Sequence, residues 1–397
     1  MLEADPDHFH ALVQRGEHEL QQNDPASALA YFRRAAEVDA TNVRVRINIA
    51  MAYKMCGDDA EEEAALTLAL AIDPYDLLAL TLRGRLYERQ GRNHAAAAAY
   101  GAAACVAPSR ERLPAALRRP LEYARRFRAA HQERFGAFLD EALARDRNDV
   151  PLRERRRFDL AVDIMLGRKA RFDSQPVLFY IPGLMPTEFF ERSRFPWLDA
   201  IEAGTDAIRR EFLAVLQSDA GFVPYIQYSA DQPVAQWAEL NNNPSWSAFH
   251  LVQNGLTVEE NATQCPETIK LWRDHVPAPD QPGRTPVALY SLLKARTRIP
   301  PHVGASNARV VTHLPLIIPA GCQYRVGNTV REWVPGKAWV FDDTIEHEAR
   351  NDSDQVRVVF IFDIWHPDLS LEEQHMITAL NTAMNGFSNE TWPEYGA

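Results

Sequence analysis

Three histidines in the C-terminal half, His302, His313 and His347, are spaced where ring nitrogens could hold a metal ion. His302 follows Ile299-Pro300-Pro301 and reads as part of a loop just before a strand. His347 lies in Phe341-Asp342-Asp343-Thr344-Ile345-Glu346-His347-Glu348 and reads as just after a strand. Two imidazoles from neighbouring strand ends can converge on one ion inside a small barrel, and neutral imidazole suits iron(II) and related metals. The usual oxygenase triad adds a carboxylate two residues after the first histidine, a position held here by Gly304. Against this stands the plain alternative of three separate, hydrogen-bonded histidines.

Elements able to position such residues are legible around them. Short β-rich runs occur at 287–293, 309–318, 323–326, 332–334, 337–341 and 356–365, punctuated by Pro319-Ala320-Gly321, Gly327-Asn328 and Pro335-Gly336. Strands at this spacing predict a sandwich or barrel, and a double-stranded β-helix of the cupin type fits. Strand alternation puts Arg309, Val311 and His313 on one face. Further upstream, Phe179–Leu184 reads as a short strand ending in a turn, and 198–218 as one amphipathic helix.

The segments His302-Val303-Gly304-Ala305-Ser306-Asn307, Thr312-His313-Leu314-Pro315-Leu316, Phe341-Asp342-Asp343 with Glu346-His347-Glu348, and Asp363-Ile364-Trp365-His366-Pro367 resemble the aspartyl/asparaginyl β-hydroxylase family. So do Phe179–Leu184 and Phe195-Pro196-Trp197-Leu198, so that the resemblance covers roughly 175–370. It implies an iron(II)- and 2-oxoglutarate-dependent dioxygenase using O2, with His302 and His347 as the two metal ligands and a small residue where others have a carboxylate. It also implies that Arg357 pairs with the distal carboxylate of 2-oxoglutarate, that Ser291 helps hold it, and that His313 contacts the proximal one. A guanidinium suits such a task because it presents a rigid, always-charged fork. The chain departs from the better-known animal members at Val311, where they carry arginine; Arg309, on the same face, is the candidate replacement. Trp246, in Trp246-Ser247-Ala248-Phe249, matches a pocket wall, and Asp342 with Asp343 a turn that orients His347.

The first third has a different texture. Gly16, Ala50 and Gly84 share one position of a 34-residue period; Phe32, Leu66 and Tyr100 share another; Ala35, Ala69 and Ala103 a third; Ala40, Pro74 and Pro108 a fourth. Small residues let two helices approach, a bulky one fills the gap beside them, and proline stops the second helix. This resembles three tetratricopeptide repeats, with Glu62 standing where a small residue is expected and weakening the second. Helical spacing continues over 109–147 as a cap. The expected layout is therefore multidomain α+β: an all-α repeat array at 1–147 and the oxygenase domain at 148–397.

Composition narrows the function. Charged residues make up 24% and the formal net charge is -11, which argues against nucleic acid as the main partner. The Arg-rich run Arg110–Arg128 reads as a solvated helix face. Four cysteines without a C-x-x-C pair make neither a disulfide framework nor a zinc site. No apolar run is long enough for a membrane span, and the first residues lack a signal-like basic and apolar pattern, so a cytoplasmic location is expected. Three functions compete: hydroxylation of an Asp or Asn β-carbon in a protein or peptide presented by the repeat arm; the same chemistry on a lipid-linked acyl chain or small amino-acid derivative; and a non-catalytic scaffold.

Overall fold

The computed structural model describes residues 5–109, 111–218, 221–281 and 284–387, and the chain divides into two compact units, Met1–Leu166 and Gly167–Ala397. The N-terminal unit begins with three helix pairs: α1 (Phe9–Gln21) with α2 (Pro25–Val38), α3 (Val43–Cys56) with α4 (Asp59–Ile72), and α5 (Leu77–Arg89) with α6 (Asn93–Val106). Asp24, Asn42, Asp58 and Asp76 cap α2 to α5, each accepting a backbone N–H from the first turn. The expected size pairing is realised within each repeat. A Cβ on Gly16 would lie 2.5 Å from the Phe32 ring and one on Gly84 2.3 Å from the Tyr100 ring, whereas Ala50 is opposed by the smaller Leu66. Glu62 is buried in α4, and its carboxylate meets Arg89 of α5 at 2.5 Å, so the departure from the repeat pattern is charge-compensated.

The helical region extends beyond the boundary expected after residue 147. Following α7 (Ala115–Ala142) come α8 (Ala144–Asp149) and α9 (Leu152–Met165), tied together by Arg147, which pairs with Asp140 of α7 and Asp159 of α9 at 2.9 Å each. These ion pairs carry the unit on to Leu166. Arg118, Arg119, Arg125, Arg126 and Arg128 are exposed on α7, as a solvated helix face requires; Arg110 lies outside the described residues.

The second unit is built on two antiparallel sheets. Its strands are β1 (Val223–Pro224), β2 (Trp246–Gln253), β3 (Leu256–Thr257), β4 (Ala288–Leu293), β5 (Thr297–His302), β6 (Arg309–Ile317), β7 (Cys322–Val326), β8 (Thr329–Glu332), β9 (Trp339–Phe341), β10 (His347–Asn351) and β11 (Arg357–Trp365). The larger sheet runs β1-β2-β4-β11-β6-β9 with β3 on β2; the smaller runs β5-β10-β7-β8. Alternation sorts each strand of the large sheet between two environments. Val358, Phe360, Phe362 and Ile364 of β11 pack with Phe212 of α11 (Thr205–Ser218) and Trp272 of α13 (Pro266–His275). On the opposite face, Leu293, Val311 and Val359 share a core with Ile299, Tyr324, Val326 and Ala349 of the small sheet. The interior between the sheets is thus closed by side chains from both. Two short helices, α10 (Leu198–Ala203) and α12 (Glu259–Ala262), and the C-terminal α14 (Leu371–Phe387) complete the unit.

Several local expectations are corrected. His302 ends a strand instead of preceding one: Pro300 and Pro301 sit in β5, an edge strand, where a missing N–H is tolerated. His347 likewise begins β10. The helix expected over 198–218 breaks at Gly204, where a Cβ would meet Leu271 at 2.4 Å. The strand expected at 332–334 is β8, which starts directly after the Gly327-Asn328 turn because Val326 pairs with Thr329. Phe179–Leu184 forms no strand; its one β-bridge joins Phe179 to Ser306.

Two outcomes follow. Gly84→Ala should destabilise the helical unit by about 1–3 kcal/mol through overpacking against Tyr100, seen as a lowered Tm by far-UV circular dichroism. The second concerns His366, whose buried ring has its pKa pushed down to about 4 by burial, below the roughly 6.5 of an unfolded histidine. As pH falls the unfolded chain takes the proton first, so this contribution, up to roughly 3 kcal/mol, is complete above pH ~6.5 and lost towards pH ~4. The Tm advantage of wild type over His366→Gln should therefore shrink between neutral pH and about pH 4.5.

Candidate active site

The two histidines meet because their strands pair. His347 lies directly opposite His302 in the β10–β5 ladder, and the ring centroids are 4.0 Å apart. Each ring is oriented by its own backbone: Nδ1 of His302 is 2.8 Å from Pro300 O, and Nδ1 of His347 is 3.0 Å from Ile345 O. A carbonyl can only accept, so Nδ1 of each ring carries the proton and Nε2 keeps its lone pair. Burial holds both rings neutral; the His347 pKa is pushed down to about 4, and that of His302 lies well below its ordinary value. Neutral rings with free Nε2 atoms are the form that binds a metal.

Arg357, the first residue of β11, occupies the same interior and is only 1% exposed. Its Nη1 donates to Ser291 Oγ at 3.2 Å and its guanidinium lies 4.7 Å from the centre of the Trp333 ring. Its Nε has no partner, and no carboxylate among the described residues pairs with it. Burial without a counter-charge drags its pKa down to about 10. Ser291 Oγ also accepts from Trp246 Nε1 at 3.2 Å, so both neighbours are donors and its own O–H is left without an acceptor among the described residues. The corner before β11 is fixed by fully buried Asn351, whose Nδ2 donates to Leu293 O, Lys294 O and Gln355 O.

His313, on the same face of β6, links the two groups. Its Nδ1 accepts from Trp333 Nε1 at 3.4 Å, leaving the proton on Nε2, and burial together with Arg357 keeps it neutral. Tyr324 bridges His313 and His347, with ring centroids 4.9 and 5.9 Å away. On the other side Trp246 lies 6.4 Å from His302 and stacks on Tyr225 at 3.9 Å. A closed circuit of contacts therefore runs from His302 through Trp246, Ser291, Arg357, Trp333, His313 and Tyr324 to His347. Trp333, Tyr324 and Tyr225 carried no motif signal in the sequence, since no spacing marks an aromatic as a neighbour of these groups. The inward alternation of Cys322, Tyr324 and Val326 was the one available signal.

Arg309 differs from Arg357. It faces the same interior but is compensated by two buried carboxylates, Asp343 at 3.2 Å and Asp363 at 3.7 Å. The Asp343 carboxylate also fills the space beside Gly304: a Cβ there would lie 2.1 Å from its Oδ2. Asp342 does form the turn before His347, its carboxylate accepting from Thr344 N at 2.9 Å. Among the described residues no group of three or more His, Cys, Asp or Glu side chains is placed to share a metal.

Comparison with known proteins finds hydroxylase relatives for the same stretch of chain. The family model described as aspartyl/asparaginyl beta-hydroxylase matches residues 202–367, which include every site residue above. Human aspartyl/asparaginyl beta-hydroxylase is 33% identical over 184 residues, 46% of this chain and 22% of that protein. Human aspartate beta-hydroxylase domain-containing protein 2 is 30% identical over 215 residues, 51% of this chain and 54% of that protein. The ornithine lipid ester-linked acyl 2-hydroxylase of Rhizobium tropici is 33% identical over 181 residues, 45% of this chain and 60% of that protein. The chain thus spans about a fifth to three fifths of these relatives. Among solved structures, MamA is similar to the helical part at 20% identity, covering 36% of this chain and 79% of that one, with a TM-score of 0.28; the repeat assignment rests on the helix pairs themselves. The segment that resembles the aspartyl/asparaginyl β-hydroxylase family and the paired histidines thus lie in the same stretch of chain, residues 202–367.

Proposed function

We propose that the chain is an iron(II)- and 2-oxoglutarate-dependent hydroxylase, with His302 and His347 as metal ligands in a double-stranded β-helix domain. The observation that carries this reading is the buried, carboxylate-free guanidinium of Arg357, facing the same interior as two neutral imidazoles. An uncompensated buried charge is costly unless a ligand of opposite sign joins it. A dicarboxylate fits: Arg357 and the free hydroxyl hydrogen of Ser291 would hold its far end, and the Nε2–H of His313 its near end. Trp246 and Trp333 wall the cavity and exclude water, which strengthens each of these contacts.

When bound, the iron with its oxo-acid and O2 would supply the oxidising step; this chain's residues supply binding, orientation and a dry cavity. Arg309, the candidate replacement for the arginine absent at Val311, is paired with Asp343 and Asp363, which leaves Arg357 as the better-supported anchor for the cosubstrate. The substrate we favour is an Asp or Asn β-carbon of a protein or peptide, with the helical repeats as the surface that presents it. A second reading, hydroxylation of a lipid-linked acyl chain, is favoured by the 33% identity to the Rhizobium tropici acyl hydroxylase. No helix among the described residues is long and apolar enough to cross a membrane.

Four variants test the site. Wild type should convert 2-oxoglutarate to succinate, and His302→Ala and His347→Ala should each abolish this and metal binding; succinate formation retained in both would sink the assignment. Arg357→Lys keeps the charge but loses the fork, and should raise KM for 2-oxoglutarate by about 10- to 100-fold, the loss of one charge-assisted bond. Gly304→Asp should not create a third ligand; collision with Asp343 should lower stability by about 1–3 kcal/mol, read as a lower Tm. A mass gain of one oxygen on a peptide library, against an acyl-chain substrate, separates the two substrate readings.

A further inference from the structure

His302 is the last residue of β5 and His347 the first of β10, and the ladder between these strands is irregular from His347 to Ala349. Both imidazoles therefore stand at strand ends, His347 being held also by its pairing with Val326 of β7. Sheet pairing brings the two rings together; the course of the chain beyond each of them is left to other contacts. What holds the chain beyond each histidine is a non-strand segment from the start of the second unit.

That segment, 174–181, is bonded to both loops. Gln175 N donates to Thr344 O at 2.8 Å, and the Ser174 and Thr344 hydroxyls are 2.6 Å apart. Val177 N donates to Gly304 O at 3.1 Å, and Leu178 and Phe179 both donate to Ala305 O. Buried Asn307 closes the far end: its Oδ1 accepts from Ile181 N at 2.7 Å and its Nδ2 donates to Ile181 O at 2.9 Å. The two loops are also joined directly, Gly304 N to Asp343 O at 2.7 Å. One strap thus ties the stretch leaving His302 to the stretch entering His347. It lies upstream of the 202–367 family segment.

We propose that the strap 174–181 is a positioning element that sets the spacing and direction of the His302 and His347 rings, with Asn307, Ser174 and Thr344 as its positioning residues. None of the three touches the imidazoles; they act on the backbone that carries them. The inference rests on the reading of His302 and His347 as metal ligands. Supporting groups of this kind commonly change metal affinity by tenfold or more when removed.

The test is titration of the metal-free full chain with Co(II), followed by its visible absorption, alongside Tm. The variants are Asn307→Ala, Ser174→Ala and, as a stability control, Phe212→Leu, whose side chain packs on the opposite face of the large sheet. Asn307→Ala and Ser174→Ala should each weaken Co(II) by about tenfold and alter its spectrum, while Phe212→Leu lowers Tm and leaves both unchanged. Asn307→Asp keeps the acceptor for Ile181 N–H and should recover part of the affinity. Strap variants that bind Co(II) as tightly as the control overturn the strap's role and leave the metal site standing. A wild-type chain that binds no Co(II) overturns both.

Discussion

The guanidinium of Arg357 is sealed between two sheets with Ser291 Oγ and an aromatic face as its company and no counter-charge beside it. Taking a cation out of water costs several kcal/mol, and a neutral hydroxyl and a ring quadrupole offset only part of that. The β4–β11–β6 spine has to absorb the remainder through the apolar packing on its other face, where Val358, Phe360 and Phe362 are all fully buried. A protein keeps such a group when an anion completes it. The second unit can be understood as a scaffold that holds one positive charge and two neutral imidazoles around a common space.

The charges in that space are arranged with polarity. At the start of β11 stands Arg357, uncompensated; six residues along the same face stands Asp363, which with Asp343 neutralises Arg309. The strand period keeps Arg357, Asp363 and Arg309 inward, and the antiparallel register sets Asp363 opposite Val311, beside Arg309. One end of the interior is therefore ready for an anion and the other is already balanced. Asp343 does double service there, since its carboxylate also occupies the space that a side chain at position 304 would need.

The helical unit answers to a different constraint, steric rather than electrostatic. In each repeat the sizes of two residues sixteen apart are matched, glycine with an aromatic ring and alanine with leucine. Glu62 shows how a breach of that pattern is tolerated: a charge enters the space meant for a small residue and Arg89 follows it from the next helix. No sequence rule for the repeat foretold that ion pair, because it depends on the neighbouring helix presenting a cation at the right height.

Read alone, the chain's residues determined a good deal. The 34-residue period specified helix pairs, since only a helix–turn–helix repeat needs small and bulky residues at those offsets. Alternation put Arg309, Val311 and His313 on one face, because successive residues of a strand point to opposite sides. The residues His302, His347, Arg357 and Ser291 could be named from their motifs. Tertiary structure decided the rest. That His302 and His347 are cross-strand partners follows from a pairing between segments far apart in the chain, and pairing register is not written in either segment. That Arg357 lacks a carboxylate while Arg309 has two depends on which acids the fold brings near, a matter of distance that no local pattern encodes. The strap beside the His302 and His347 loops, made of backbone hydrogen bonds from a segment that forms neither strand nor helix, became visible only once the chain had folded over itself.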